Sequence, residues 1–201
     1  MGMVCLTIVG CRASQANSAT SHLSNSSLPT TFEGKLVQGA LNQVGVTKSY
    51  DNRYTLLKYP GGDVPISRGV CTDVIVRAYR STGYDLQKLV HEDMKANWDA
   101  YPKKWGLKKP DTNIDHRRVP NLQTYFTRKG KKLSTSQQPQ DYKPGDIVTW
   151  KLDSGLDHIG MVIDKVEGNR PLVVHNIGAG AQTEDVLFTW KITGHYRLAF
   201  K

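Results

Sequence analysis

Acidic residues are the first scarcity of this 201-residue chain: 18 Asp and Glu stand against 27 Lys and Arg, a formal net charge of +9 with a sequence pI near 9.5. That balance points to an anionic partner or surface. The shortage is sharpest between Tyr101 and Lys132, where only Asp111 and Asp115 oppose Lys103, Lys104, Lys108, Lys109, Arg117, Arg118, Arg128, Lys129, Lys131 and Lys132. No helix-turn-helix, zinc-finger, RRM or KH signature accompanies the charge, so no nucleic acid is expected. A solvated basic face or an anionic polymer is expected instead.

Cysteine is also scarce. Cys5, Cys11 and Cys71 cannot form a disulfide framework, because two lie in the first eleven residues and the third stands alone. No CxxC or HExxH spacing occurs, so a zinc site built from Cys71, His158 and His175 has no motif behind it, and no cofactor is expected. No apolar run is long enough to cross a bilayer. With 38% hydrophobic and 22% charged residues, the composition is that of an ordinary globular domain large enough for a real core.

The N-terminal stretch MGMVCLTIVGC is apolar and precedes the small, polar run RASQANSATSHLSNSS. An apolar residue, a small residue, Gly and Cys resemble a bacterial lipoprotein signal, although a basic n-region is missing. Residues 1–11 are therefore expected to be a signal segment, 12–31 a flexible linker and 32–201 the folded domain. Membrane attachment is expected only through lipid on Cys11, at the cell envelope.

Leu36, Val37, Ala40, Leu41 and Val44 share one stripe and predict a first helix ending near Gly45. Val70, Val74, Ile75, Ala78 and Tyr79 predict a second, ending near Gly83, with Cys71 at its start. A third is expected across Leu86–Trp98, while VPNLQTYFTRKG reads as a short helix or a strand. After Gln140 the short apolar runs YKPGDIVTWKL, DHIGMVIDKV and RPLVVHNIG, rich in Val, Ile and Trp, with GHYRLAF closing the chain similarly, predict an antiparallel sheet. The fold class is α+β, helices first and sheet second.

A thiol at a helix N-terminus is where the macrodipole favours a thiolate, although an unpaired cysteine is also a common core residue. The hairpin between Asp164 and Pro171 brings His158 and His175 to the same end of the sheet, and a helix packed there could set Cys71 against them. A thiol, a base and a group that orients the base are what nucleophilic acyl transfer requires. Asp157 and Asn176 are rival orienters, disfavoured because strand neighbours point to opposite faces. His116 is a reserve for either histidine.

The stretches YPGGDVPISRGVCTDVIVRAYRSTG, YKPGDIVTWKLDSGLDHIGMVID and VVHNIG resemble the NlpC-like family of bacterial cell-wall cysteine peptidases, which have a papain-like core. Tyr59, Gly61, Gly62, Cys71, Pro144–Asp146, His158, Gly160 and His175 fall in the family's order. Val70-Cys71-Thr72-Asp73 departs from the usual Asp-Cys-Ser-Gly, and the segment Tyr84–Gln140 is long, as in a divergent YijF-like branch. The resemblance implies Cys71 as nucleophile, His158 as base, His175 as orienter and Tyr59 near the oxyanion. It implies a hydrolase acting on an amide of peptidoglycan, as endopeptidase or amidase. An acyltransferase with the same triad, and a non-enzymatic envelope-binding protein with a basic surface, are the alternatives.

Overall fold

The computed structural model describes residues 1–2 and 30–200, so nearly all of the expected signal segment and of the expected linker lies outside the described residues. Among the described residues, three α-helices pack on one face of a six-stranded antiparallel sheet and a fourth packs against two of them. Among the described residues no helix is long and apolar enough to cross a membrane.

Helix α1 spans Phe32–Leu41, and the Thr31 hydroxyl caps it by accepting from the Gly34 N–H at 3.1 Å. Helix α2, Cys71–Ser81, is the buried centre: all its residues from Cys71 to Tyr79 are inaccessible, which only a helix covered on every side can be. Asp73 in its first turn accepts from the Val70 N–H at 2.7 Å and so closes its N-terminus. Helix α3 spans Leu86–Ala96, two residues short of the expected end, with Asp85 as its cap. The ambiguous VPNLQTYFTRKG is helix α4, Val119–Lys129; Leu122 and Phe126, one turn apart, are both fully buried.

The sheet runs β3-β8-β4-β5-β6-β7, with β3 Lys131–Lys132, β4 Ile147–Lys151, β5 Asp157–Glu167, β6 Arg170–Asn176, β7 Ala181–Glu184 and β8 Lys191–Arg197. A parallel pair, β1 Ser49–Tyr50 and β2 Arg68–Gly69, stands apart. Alternation sorts the sheet into two faces. Ile159, Met161, Ile163 and Val174 pack with α1, α2 and α4. Trp150, Val162 and Val173 point the other way, under Leu187 and Trp190 from the segment joining β7 to β8.

The turn between β6 and β7 holds β1 in place. Tyr50 N–H donates to the Gly178 carbonyl and Ala181 N–H to that of Thr47. Gly180 takes φ +92°, and a Cβ there would lie 2.1 Å from the Thr47 oxygen, so only glycine permits this approach.

Much of the basic central segment is paired. Arg128 and Lys129 meet Asp93 at 2.6 and 2.9 Å, and Arg117 meets Asp73. Part of the expected solvated basic face is thus internal ion pairing.

Candidate active site

Cys71 is the first residue of α2 and only 3% exposed. The β5–β6 ladder begins at the Gly160–His175 pair, so past that point the β6 side of β5 is open. The thiol fills this opening. The Ile159 N–H, the Thr72 N–H and the Tyr50 hydroxyl are the donors that face its sulfur. A cleft of about 190 Å³ opens over it, bounded by Tyr50, Trp105, Arg117, Arg118 and Asp157.

The helix N-terminus does not yield the expected thiolate. Burial pushes the Cys71 thiol up to about 12, and the Asp73 carboxylate in the same helical turn adds to the rise; the three donors oppose it without reversing it. The macrodipole loses chiefly to burial, and Asp73 at the positive end of α2 adds to the loss. Alkylation by iodoacetamide should therefore be slow at pH 7 to 8 in the folded protein and should accelerate well above the ~8.5 of a free thiol. A midpoint below ~8.5 would contradict the burial argument.

His158 and His175 do come together, Nε2 to Nδ1 at 2.8 Å, and His175 Nε2 lies 2.7 Å from Glu184 Oε2. Both rings are buried, with Trp150 and Trp190 close to His158 at centroid distances of 5.8 and 5.9 Å. The Glu184 carboxylate can only accept, so His175 carries its proton on Nε2 and accepts on Nδ1. His158 then donates from Nε2, which leaves its Nδ1 with a free lone pair. Burial lowers His158 to about 3, helped by His175, so this nitrogen is an unprotonated base at neutral pH. Burial also lowers His175, with Glu184 pulling the other way.

The joining of the thiol to this pair differs from the expectation. The side chains of His158 and His175 alternate with those of Ile159 and Val174, so they belong to the sheet face turned away from α2. Cys71 meets β5 at its edge, on the residue after His158. No side-chain hydrogen bond joins Cys71 to His158 among the described residues.

Tyr59 is not at the site. It packs edge-on against His91, with ring centroids 5.2 Å apart, while Gly61 and Gly62 donate to Asp85 and Gln87 at the start of α3. The loop that follows the first Tyr thus turns toward α3, and Tyr50, carried by β1, stands beside Cys71. Burial and the neighbouring thiol both raise the Tyr50 phenol, keeping it a proton donor. Tyr50→Phe should lower any Cys71-dependent rate by about 100- to 1000-fold, as for one lost oxyanion donor, and Tyr59→Phe should leave it within about twofold; steady-state kinetics of the two variants checks this.

Asn176 is not an orienter, since its amide donates to the carbonyls of Gly69 at 3.0 Å and Ser49 at 3.3 Å. Asp157 lines the cleft but is paired with Lys104 and Lys151. His116 is buried among Arg117, Arg80, Asp85 and Asp63, and burial lowers it to about 3. Glu184 escaped the sequence reading because AQTE carries no strand-forming residue but its Thr. Among the described residues no group of three or more His, Cys, Asp or Glu is arranged to hold a metal ion.

In architecture the chain is a mixed α and β protein with an antiparallel sheet. Two crystal structures of an N-acetylmuramoyl-L-alanine amidase from Bacteroides uniformis ATCC 8492 superpose with a TM-score of 0.51, covering 84% of this chain and 99% of theirs at 13% identity. At that identity the likeness is one of fold. Residues 37–198 match the family described as Domain of unknown function (DUF1287), and the chain belongs to that family. It is 60% identical over 167 residues to the uncharacterized protein YijF of Escherichia coli (strain K12), across 83% of this chain and 82% of that one.

Proposed function

We propose that the protein is a papain-like (NlpC-like) cysteine hydrolase that cleaves an amide bond of peptidoglycan through an acyl-enzyme on Cys71. The observations that support the reading are a cleft-lining thiol at the N-terminus of α2 that faces the N–H of Ile159 and, on the preceding residue of the same strand, His158, whose Nδ1 the His175–Glu184 chain leaves free. The amidase-like fold supports the substrate class.

In this reading His158 Nδ1 takes the thiol proton as Cys71 Sγ attacks the amide carbonyl carbon. The Cys71 N–H and the Tyr50 hydroxyl stabilise the resulting oxyanion. The proton then passes from His158 to the leaving nitrogen, the C–N bond breaks, and an amine departs from a Cys71 thioester. Water, deprotonated by the same Nδ1, attacks the thioester and releases a carboxylate as the thiol regains its proton. Because the resting thiol and imidazole are both neutral, proton transfer accompanies attack rather than preceding it. Glu184 holds the tautomers and stabilises the transient imidazolium charge through His175.

The reading places the protein at the cell envelope, with peptidoglycan as partner and Cys11 as the point of lipid attachment. Whole sacculi incubated with the protein should release fragments whose masses show one water added per bond cleaved. Fragments in which an added amine replaces that water would make the site an acyltransferase; unchanged sacculi across pH 5 to 9 would remove the reading.

A further inference from the structure

Four arginines around α2 and the cleft are neutralised within the protein. Arg117 pairs with Asp73, Arg77 and Arg80 with Asp63, and Arg68 with Asp51. The cleft's one carboxylate, Asp157, is held by Lys104 and Lys151. Arg118 differs. It lines the same cleft as Cys71, yet its guanidinium has no ion pair and no side-chain hydrogen bond among the described residues.

Its position is nonetheless fixed. The guanidinium carbon lies 4.1 Å from the centroid of the Trp105 ring, a cation–π contact that needs none of its N–H donors. Burial lowers the Arg118 pKa, and the charges of Asp115 and Asp111, neither of them in ion-pair contact with it, oppose that without reversing it. A planar fork in that condition matches a carboxylate bidentately, where a lysine would offer only a point charge. Trp105 and Arg118 both belong to the long segment between α2 and the main sheet strands, which thereby supplies a wall of the cleft.

We propose that Arg118, seated on Trp105, is the carboxylate-binding residue of the cleft, so that the substrate is a peptide with a free carboxylate close to the amide that meets Cys71. The inference rests on the cleft being the substrate site, and it adds which substrates the site accepts.

The test is equilibrium binding to Cys71→Ala protein, which cannot turn substrate over. The probes are a peptidoglycan stem tripeptide with its carboxylates free and the same peptide with them amidated, titrated by calorimetry. The free peptide should bind about 10- to 100-fold more tightly, the range of one charge-assisted bidentate contact. Adding Arg118→Met should erase that preference, and Arg118→Lys should keep only part of it, in variants whose melting temperatures match the parent.

Equal binding of the two peptides with Arg118 intact, an undiminished preference in Arg118→Met, or no binding of either peptide at millimolar concentration would overturn the proposal. Protein that shows the preference but hydrolyses nothing would remove the hydrolase reading and leave the Arg118 assignment standing.

Discussion

Cys71→Ser should lose about 10³-fold or more in kcat/KM for amide hydrolysis while remaining folded. Serine keeps the size and the polarity of the position, and the donors that face the sulfur, the N–H groups of Ile159 and Thr72 and the Tyr50 hydroxyl, can face an oxygen. What disappears is nucleophilicity. A hydroxyl is a far weaker acid than a thiol, and a His158 lowered to about 3 is a weak base, so it cannot draw a proton from serine at a useful rate. Steady-state rates on soluble muropeptides, alongside thermal melts, check both halves. A serine variant retaining a tenth of the parent rate would take Cys71 out of the mechanism.

Arg117→Ala should be the most damaging single change to stability, by about 3–5 kcal/mol. Its guanidinium grips both oxygens of Asp73 at 3.0 Å, with the two side chains only 2% and 4% exposed. It also donates to the carbonyls of Arg53 at 3.3 Å and Asp51 at 3.2 Å. Removing it leaves a buried carboxylate at the start of α2 and frees the chain just after Tyr50. Replacing both members, as Asp73→Leu with Arg117→Met, should cost less than Arg117→Ala alone, because no charge is then left unpaired. Urea unfolding of the single and double variants measures the difference. A single variant within about 1 kcal/mol of the parent would show that the pair is solvated.

The elements most legible in the sequence were those whose burial is periodic. The Cys71 helix begins at the expected residue, β4, β5 and β6 lie in the Val- and Ile-rich runs, and β8 overlaps the closing run GHYRLAF from Gly194 to Arg197. Helix α4 was ambiguous because Pro120, Thr124, Tyr125 and Thr127 carry no helical preference. Packing of Leu122 and Phe126 against the core decides it.

At the site, alternation alone brought His158 and His175 to one end of the sheet. It could not show which face they take relative to α2, because His158, Ile159 and Gly160 read equally well either way round. Tyr59 was misplaced for a different reason. The family resemblance sets it near the oxyanion, but the Asp85 and Gln87 side chains draw its loop to α3, and two residues of parallel pairing bring Tyr50 instead. Pairing over so few residues has no periodic signal. The thiol's acidity was misjudged because the helix dipole can be read from position, whereas the burial that outweighs it belongs to the tertiary fold.

The central claim is a covalent acyl intermediate on Cys71, and intact-protein mass spectrometry tests it most directly. Protein quenched in acid during turnover of purified muropeptides should carry an added mass equal to the acyl fragment, mapped to the peptide containing Cys71 and absent once substrate is exhausted. Hydrolysis products appearing while the quenched protein stays at its unmodified mass, with the same yield from Cys71→Ser, would contradict the account.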